Sequence, residues 1–301
     1  MIKAYICGDG FLGTELSKDF NESGRYSVSR KFLELKRPQI VKNSHLEIIS
    51  REFHAQNNSI FINASGPSSV QESFYNSEVA LEQPSQQVLK HMEILSSTQE
   101  PILYVYISSA AVYGETSKSG IKEDGALNPM SPYAKGKIKA EETLKSLTQD
   151  KNPLVSILIL RVFSAYSENL ATRILNKIVV ASKQDQNIDL AGDGNESRDF
   201  THSSDISRVI KFLIEKREQE GQIFNVGSGK GMELRKLMEI ADTVYKNIYK
   251  RPLDYSFDGS KRTGDPIDLV ANIEKLLNLG FKPAVSPDQG LERYFTKNFS
   301  A

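Results

Sequence analysis

Short, nearly unbroken apolar runs alternate along this chain with longer stretches whose apolar residues recur every three or four positions. Residues 2–7, 60–63, 102–107 and 155–162 form the runs. Each has the length of a strand, and continuous apolar character marks a strand covered on both faces, as in a parallel sheet. Residues 12–21, 78–95, 133–147 and 171–182 carry the spacing of helices with one buried face. Strand–helix alternation of this kind predicts an α/β fold built on a doubly wound parallel sheet. After about residue 165 the pattern loosens. Residues 187–190 and 222–226 read as short strands and 205–215 and 234–249 as helices, while 281–301 mixes Pro and Gly with a final amphipathic stretch. A large sheet domain over 1–165 is expected, with a smaller C-terminal domain over 166–301 and segments within 198–228 returning to the first.

Composition narrows the partners. The 301 residues include 38 Lys+Arg and 38 Asp+Glu. A balanced chain is a poor candidate for nucleic-acid or membrane-surface binding, although a few placed arginines still suffice for a small anion. The first apolar run stops at Gly8-Asp9-Gly10, too short for the apolar core of a signal peptide. No later stretch approaches the roughly 18 apolar residues of a membrane span. Cys7 is the only cysteine, so no internal disulfide can form and a cytoplasmic, reducing compartment is expected. The four histidines show no metal-ligand spacing, so no metal site is expected.

Gly8-Asp9-Gly10-Phe11-Leu12-Gly13 follows the first strand directly and opens a helix. This is the glycine fingerprint of a dinucleotide-binding Rossmann fold. Gly8 permits the tight turn, Gly10 close approach of a pyrophosphate, and Gly13 close packing of helix on strand. Phe11 and Leu12 complete the loop, and the free N–H groups of the helix start favour phosphate. NAD sites carry an acidic residue about 20 residues further on, for the ribose 2′-hydroxyl. Tyr26-Ser27-Val28-Ser29-Arg30-Lys31 stands there instead. Ser29 followed by the cations Arg30 and Lys31 suits a 2′-phosphate, which favours NADP(H) and leaves NAD(H) open. The plainer reading makes Arg30 and Lys31 a solvated charge pair.

Tyr133 and Lys137 stand four apart in a predicted helix and share a face, with Ser131-Pro132 marking its start. A nearby ammonium favours the phenolate, lowering a tyrosine toward a useful general acid, and can also hold a ribose. The run 102–107 ends in Ser108-Ser109-Ala110-Ala111-Val112-Tyr113-Gly114. Hydroxyls at the carboxyl end of a parallel strand lie where such sheets bind ligands. Ser109 could hold a reacting oxygen; for Ser108 we prefer local backbone hydrogen bonding.

On these residues the chain resembles an extended short-chain dehydrogenase/reductase of the NAD(P)-dependent nucleotide-sugar epimerase/dehydratase group. The resemblance continues through Leu160-Arg161-Val162-Phe163-Ser164 and the segment from Gly192 through Arg198-Asp199-Phe200 to His202 and Asp205. It ends with Phe224-Asn225-Val226-Gly227-Ser228-Gly229 and Leu279-Gly280-Phe281-Lys282-Pro283. It implies a soluble enzyme with a Ser109/Tyr133/Lys137 triad and Ala64 and Ser65 beside the cofactor. A C-terminal domain would bind a nucleotide-diphosphate sugar through Ser164, Arg198 and Arg262, with His202 structural. It also implies a homodimer through a four-helix bundle of residues 78–95 and 133–147. The chain departs from the family where Cys7 replaces a glycine and Ser164 an asparagine.

Dehydratases of the group place Asp-Glu directly after the triad hydroxyl. Ala110-Ala111 stand there, so elimination of water lacks its acid and base. Compact length, residues 29–31 and the segment 45–67 favour an NADPH-dependent reductase of a nucleotide-linked 4-keto-6-deoxy sugar, in deoxysugar biosynthesis for a surface polysaccharide or glycan precursor. A 4-epimerase that retains NAD is the alternative. A non-catalytic dinucleotide-binding regulator is a third, disfavoured because both Tyr133 and Lys137 are present.

Overall fold

The computed structural model describes residues 2–30, 59–96, 98–118, 120–150, 154–169, 173–216, 221–261 and 263–300. Lys31, Arg262 and residues 45–58 of the segment compared above lie outside them. In chain order the elements begin with β1 (Ile2–Cys7), α1 (Phe11–Glu22), β2 (Tyr26–Ser29), β3 (Ser59–Asn63), α2 (Val70–Tyr75) and α3 (Ser77–Leu95). Then come β4 (Ile102–Ser109), α4 (Pro132–Asp150), β5 (Val155–Val162), β6 (Ser164–Tyr166), α5 (Arg173–Lys183), β7 (Ile188–Leu190), β8 (Ser197–Arg198) and β9 (Phe200–His202). The chain closes with α6 (Ser203–Lys216), β10 (Gln222–Val226), β11 (Met232–Glu233), α7 (Leu234–Tyr249), β12 (Tyr255–Phe257), β13 (Asp268–Leu269), α8 (Glu274–Asn278) and α9 (Pro287–Ser300).

The chain divides into two compact units, one of Met1–Val112, Pro129–Arg161 and Ser207–Phe224, the other of Tyr113–Asn128, Val162–Ile206 and Asn225–Ala301. The first unit is built on a six-stranded sheet of order β10-β5-β4-β3-β1-β2. Strand β1 pairs in parallel with β2 and β3, and β3 with β4. This is the doubly wound Rossmann architecture that the alternation predicts. Side chains of a strand alternate between its faces. Tyr5, Cys7, Phe61, Tyr104, Tyr106, Ile157 and Ile159 share one core with Val88 and Leu95 of α3 and Ala140 and Leu144 of α4. Residues of the opposite parity, such as Ala4, Ile62, Val105 and Leu158, are also fully buried, so both faces are covered.

Exposure separates what periodicity left mixed on α3 and α4. Val88, Leu95 and Leu144 belong to the core, whereas Val79 and Leu89 are 49% and 48% exposed. Pro84 inside α3 has no N–H for the Ala80 carbonyl. At that carbonyl α3 and α4 approach so closely that a Cβ on Gly136 would stand 2.0 Å from the Ala80 oxygen. Gly136 lies between Tyr133 and Lys137, so this contact helps set the seat of both on the sheet.

The second unit packs Leu175 and Ile178 of α5, Leu237, Met238 and Ala241 of α7 and Leu291, Phe295 and Phe299 of α9 into one core. Its strands are short, with a three-stranded sheet β11-β8-β13 and two-stranded pairs β12-β7 and β6-β9. Buried Asp199 accepts from the backbone of Ser228, Gly229 and Ala271, and Asp205 from that of Ala284 and Val285. Both acids therefore serve as loop anchors.

Candidate active site

The carboxyl ends of β1 and β3 lie side by side, with Cys7 opposite Asn63 and the Ala64 N–H donating to the Cys7 carbonyl at 2.8 Å. Gly8 follows at φ 125°, in the region that favours glycine, and a Cβ there would meet the Ala64 oxygen at 2.5 Å. A Cβ on Gly13 would meet the Gly8 oxygen at 2.3 Å, so α1 rests directly on the loop. Gly10 caps α1 with nothing within 4 Å of its added Cβ, and the first turn, including Phe11, Leu12 and Gly13, carries no acidic side chain. Its first N–H groups have no acceptor within the helix. The cradle a Cβ would fill and the open, uncharged helix start fit a dinucleotide pyrophosphate.

Two polar anchors hold this cradle. Arg30, following Ser29 at the end of β2, donates from Nη2 to the Gly8 carbonyl at 2.6 Å. Its Nε is buried without a partner among the described residues. Arg30 is thus half-buried against the glycine loop rather than half of a solvated pair. The other anchor lies under Ala64-Ser65. Asn63 Oδ1 accepts from the Ser65 N–H at 3.1 Å and hydroxyl at 2.5 Å, and Asn63 Nδ2 donates to the Tyr104 hydroxyl at 2.9 Å. The Tyr104 hydroxyl lies 2.8 Å from His91 Nδ1. Burial pushes His91 down to about 3, so its ring is neutral and accepts from Tyr104. Tyr104 lies in the strand run 102–107 and His91 in the helical stretch 78–95, and nothing in the sequence marks either for a role at the site.

Ser109, Tyr133 and Lys137 belong to the same unit. Strand β4 delivers Ser109 at its carboxyl end, and α4 presents Tyr133 and Lys137 one turn apart. The Ser109 oxygen accepts from the Ala111 N–H at 3.2 Å, and its side chain hydrogen-bonds to Tyr133. Lys137 is 4% exposed. Its Nζ donates to the Ile107 carbonyl at 3.0 Å and lies 5.1 Å and 5.9 Å from the ring centres of Tyr106 and Tyr133.

The electrostatics correct one expectation. Tyr133 is not lowered on balance; burial raises the phenol, and the bond from Ser109 opposes that. Burial also brings Lys137 down to about 8, with the Glu141 carboxylate pulling the other way. A dry site penalises both charged forms. The Ser108 expectation is also corrected. Its hydroxyl donates to Glu141 Oε1 at 2.5 Å, and Glu141 is paired with the equally buried Arg161. Neither charged residue was weighed for a role from the sequence. The available signal was a charge on each of two otherwise apolar faces.

The Lys137 shift predicts a stability effect. The lysine titrates near 10.5 when unfolded and near 8 when folded. Between those values the unfolded chain holds more protons, so this contribution to stability rises with pH from about 8 to 10.5 and the full penalty applies below 8. Lys137→Met is expected to stabilise the protein at pH 7 by roughly 3 kcal/mol. That gain should fade by pH 10.5, the unfolded value. Urea unfolding of both proteins across pH checks it, and a destabilised variant at pH 7 would contradict the shift.

Ser164 and Arg198 belong to the second unit. Arg198 donates from Nη2 to Asp265 at 2.8 Å and from Nη1 to the Ile267 carbonyl at 2.9 Å. Its ion pair is therefore with Asp265, since Asp199 and Asp205 are engaged as loop anchors. His202 bonds Glu168 at 2.8 Å and Ser204 at 2.7 Å. Among the described residues no group of three or more His, Cys, Asp or Glu could hold a metal ion, and no helix is long and apolar enough to cross a membrane.

A Rossmann sheet, its glycine loop and a Ser-Tyr-Lys group on β4 and α4 define a dinucleotide-binding fold of the short-chain dehydrogenase/reductase type. Residues 5–227 match the NAD dependent epimerase/dehydratase family, and the chain belongs to it. A Bacillus subtilis protein described as an uncharacterized UDP-glucose epimerase is 28% identical over 190 residues, 62% of this chain and 58% of that protein. Two further curated relatives match similarly, and 58–59% of the length of these three proteins is aligned with this chain. Two solved structures share the fold over 99% of both chains at 19% identity. One is UDP-glucuronic acid 4-epimerase from Bacillus cereus, in complex with UDP-glucuronic acid and NAD, at a TM-score of 0.82. The other is RMD from Pseudomonas aeruginosa, complexed with NADPH, at 0.80.

Proposed function

We propose that this protein is a nucleotide-sugar 4-epimerase that removes and returns hydrogen at C4 of a sugar carried on a nucleoside diphosphate. The observation that carries the reading is the meeting of Ser109, Tyr133 and Lys137 on the sheet that bears the glycine loop. Gly8, Gly10–Gly13, Ala64 and Ser65 would hold the pyrophosphate side of NAD, Arg30 the adenosine ribose and Lys137 the nicotinamide ribose. NAD when bound supplies the hydride acceptor and donor. Tyr133, as the phenolate that the Lys137 ammonium favours, would take the C4 hydroxyl proton as the alcohol becomes a ketone, and would return it when hydride comes back to the opposite face. Ser109 holds the C4 oxygen, and Lys137 lends its charge to the tyrosine. Ser164, Arg198 and Arg262 are proposed for the substrate diphosphate.

Several relatives are described as UDP-glucose epimerases or 4-epimerases, which favours this over the reductase reading. The 3-10 turn after Ser109 offers Ala110 and Ala111 where a dehydratase needs carboxylates. Arg30 keeps the NADPH-dependent 4-ketoreductase as a second reading, because β2 ends without an acid and with a guanidinium on the glycine loop. The cofactor decides between them. An epimerase retains NAD through purification, whereas a reductase consumes NADPH. If Arg30 serves a 2′-phosphate, Arg30→Ala should weaken NADPH roughly ten- to a hundredfold and leave NADH nearly unchanged in fluorescence titrations. Equal losses for both would remove the second reading.

A cytoplasmic homodimer pairing across α3 and α4, over exposed Val79 and Leu89, is part of the proposal. Light scattering at micromolar concentration should give twice the 33.7 kDa chain mass, and a monomer would contradict it.

A further inference from the structure

Glu141 follows Lys137 by one helical turn and Tyr133 by two on α4, so all three share one face. Its carboxylate is closed in by two strands. Arg161 of β5 donates from Nη2 to Oε2 at 2.7 Å and from Nε to Oε1 at 3.1 Å, and Ser108 of β4 donates to Oε1 at 2.5 Å. Both members of the ion pair are 2% exposed. A buried ion pair adds little stability over an apolar pair of similar volume. Its position, one helical turn from the lysine of the reacting pair and bonded to Ser108, the neighbour of Ser109, points to a role in the site.

We propose that Glu141, clamped by Arg161 and Ser108, is a positioning residue that keeps the Lys137 side chain protonated and seated on the Ile107 carbonyl in a water-poor site. The proposal rests on Tyr133 and Lys137 being the reacting pair. The other groups facing Lys137 do not supply a negative charge. They are the Tyr133 ring on α4 and the Tyr106 ring and Ile107 carbonyl on β4. Arg161 of β5 is positive and engaged with Glu141. On α3, Glu82 is bound by Lys139 at 2.6 Å, and Glu72 of α2 is exposed. Glu141 is the group that opposes the loss of charge burial imposes on Lys137.

Lysine-selective NMR of the full chain reads the Lys137 ammonium directly, with Lys137→Met to assign its signal. The midpoint should lie near 8 in the wild type. In Glu141→Gln it should fall by about one unit or more, as removal of a close opposite charge requires. The high-pH limb of kcat/KM should move down with it. Glu141→Gln leaves Arg161 without its carboxylate and can unfold the chain. Ser108→Ala keeps the ion pair and should move the midpoint down by a few tenths of a unit. An unchanged midpoint in the variants that fold overturns the proposal and leaves Glu141 a purely structural group. So does a midpoint that moves while the kcat/KM limb stays. If the midpoint moves but wild-type protein turns over no nucleotide sugar, the coupling holds and the functional reading fails.

Discussion

Tyr133→Phe is expected to lower kcat by roughly 10²–10⁴-fold, the loss of a positioned general acid–base. The substitution deletes one oxygen. That oxygen bonds Ser109, and the ring stays over Lys137 on a helix seated by Gly136. Cofactor binding, read by nicotinamide fluorescence, should therefore stay within a few-fold of wild type, because Lys137 and the glycine loop are untouched. A merely structural tyrosine would behave differently. Removing a hydroxyl that burial makes costly to ionise would leave turnover intact. Turnover within about threefold of wild type would take Tyr133 out of the reaction, on the scale of general acid–base effects.

The largest stability effect is expected at Arg161. Arg161→Leu leaves the Glu141 carboxylate in the core with the Ser108 hydroxyl as its remaining donor among the described residues. Breaking a buried pair from one side costs about 3–5 kcal/mol. Replacing both partners, Arg161→Leu with Glu141→Leu, should restore most of that loss, because an apolar pair of similar volume is often neutral or stabilising. Urea unfolding of the single and double variants checks both statements. A single variant within about 1 kcal/mol of wild type would show that the pair is not closed off from water. The double variant is expected to fold yet react poorly, since Lys137 loses its counter-charge.

How much of this was legible depended on where the information sits. Four apolar runs and the helices between them predicted the sheet because each strand is buried on both faces, which writes itself as continuous hydrophobicity. The glycine loop was legible because its backbone demands glycine at Gly8 and tolerates no Cβ at Gly13. Tyr133 and Lys137 announced themselves by spacing. Less visible were groups whose roles depend on a partner far along the chain. Glu141 and Arg161 are 20 positions apart, Asn63 is 41 from the Tyr104 it bonds, and nothing local marks either pair. Arg30 looked like a surface cation or a phosphate ligand, and its bond to the Gly8 carbonyl follows only once β2 lies beside β1. The Tyr133 expectation failed for a related reason. Spacing placed an ammonium nearby, but burial, which spacing cannot report, outweighs it. Periodicity also could not separate core from surface on α3, where Val88 is buried and Leu89 half exposed.

The central claim is hydride and proton transfer at C4 of a nucleotide sugar, and proton NMR of the sugar tests it most directly. Purified protein with its retained cofactor would be incubated with UDP-glucose or UDP-glucuronic acid, with Tyr133→Phe as the comparison. The account predicts that the C4-inverted sugar appears with wild-type protein, without net change in nicotinamide absorbance, and at least about 100-fold more slowly with the variant. Recovery of both sugars unaltered at C4, from a wild-type protein shown to hold NAD, would contradict it.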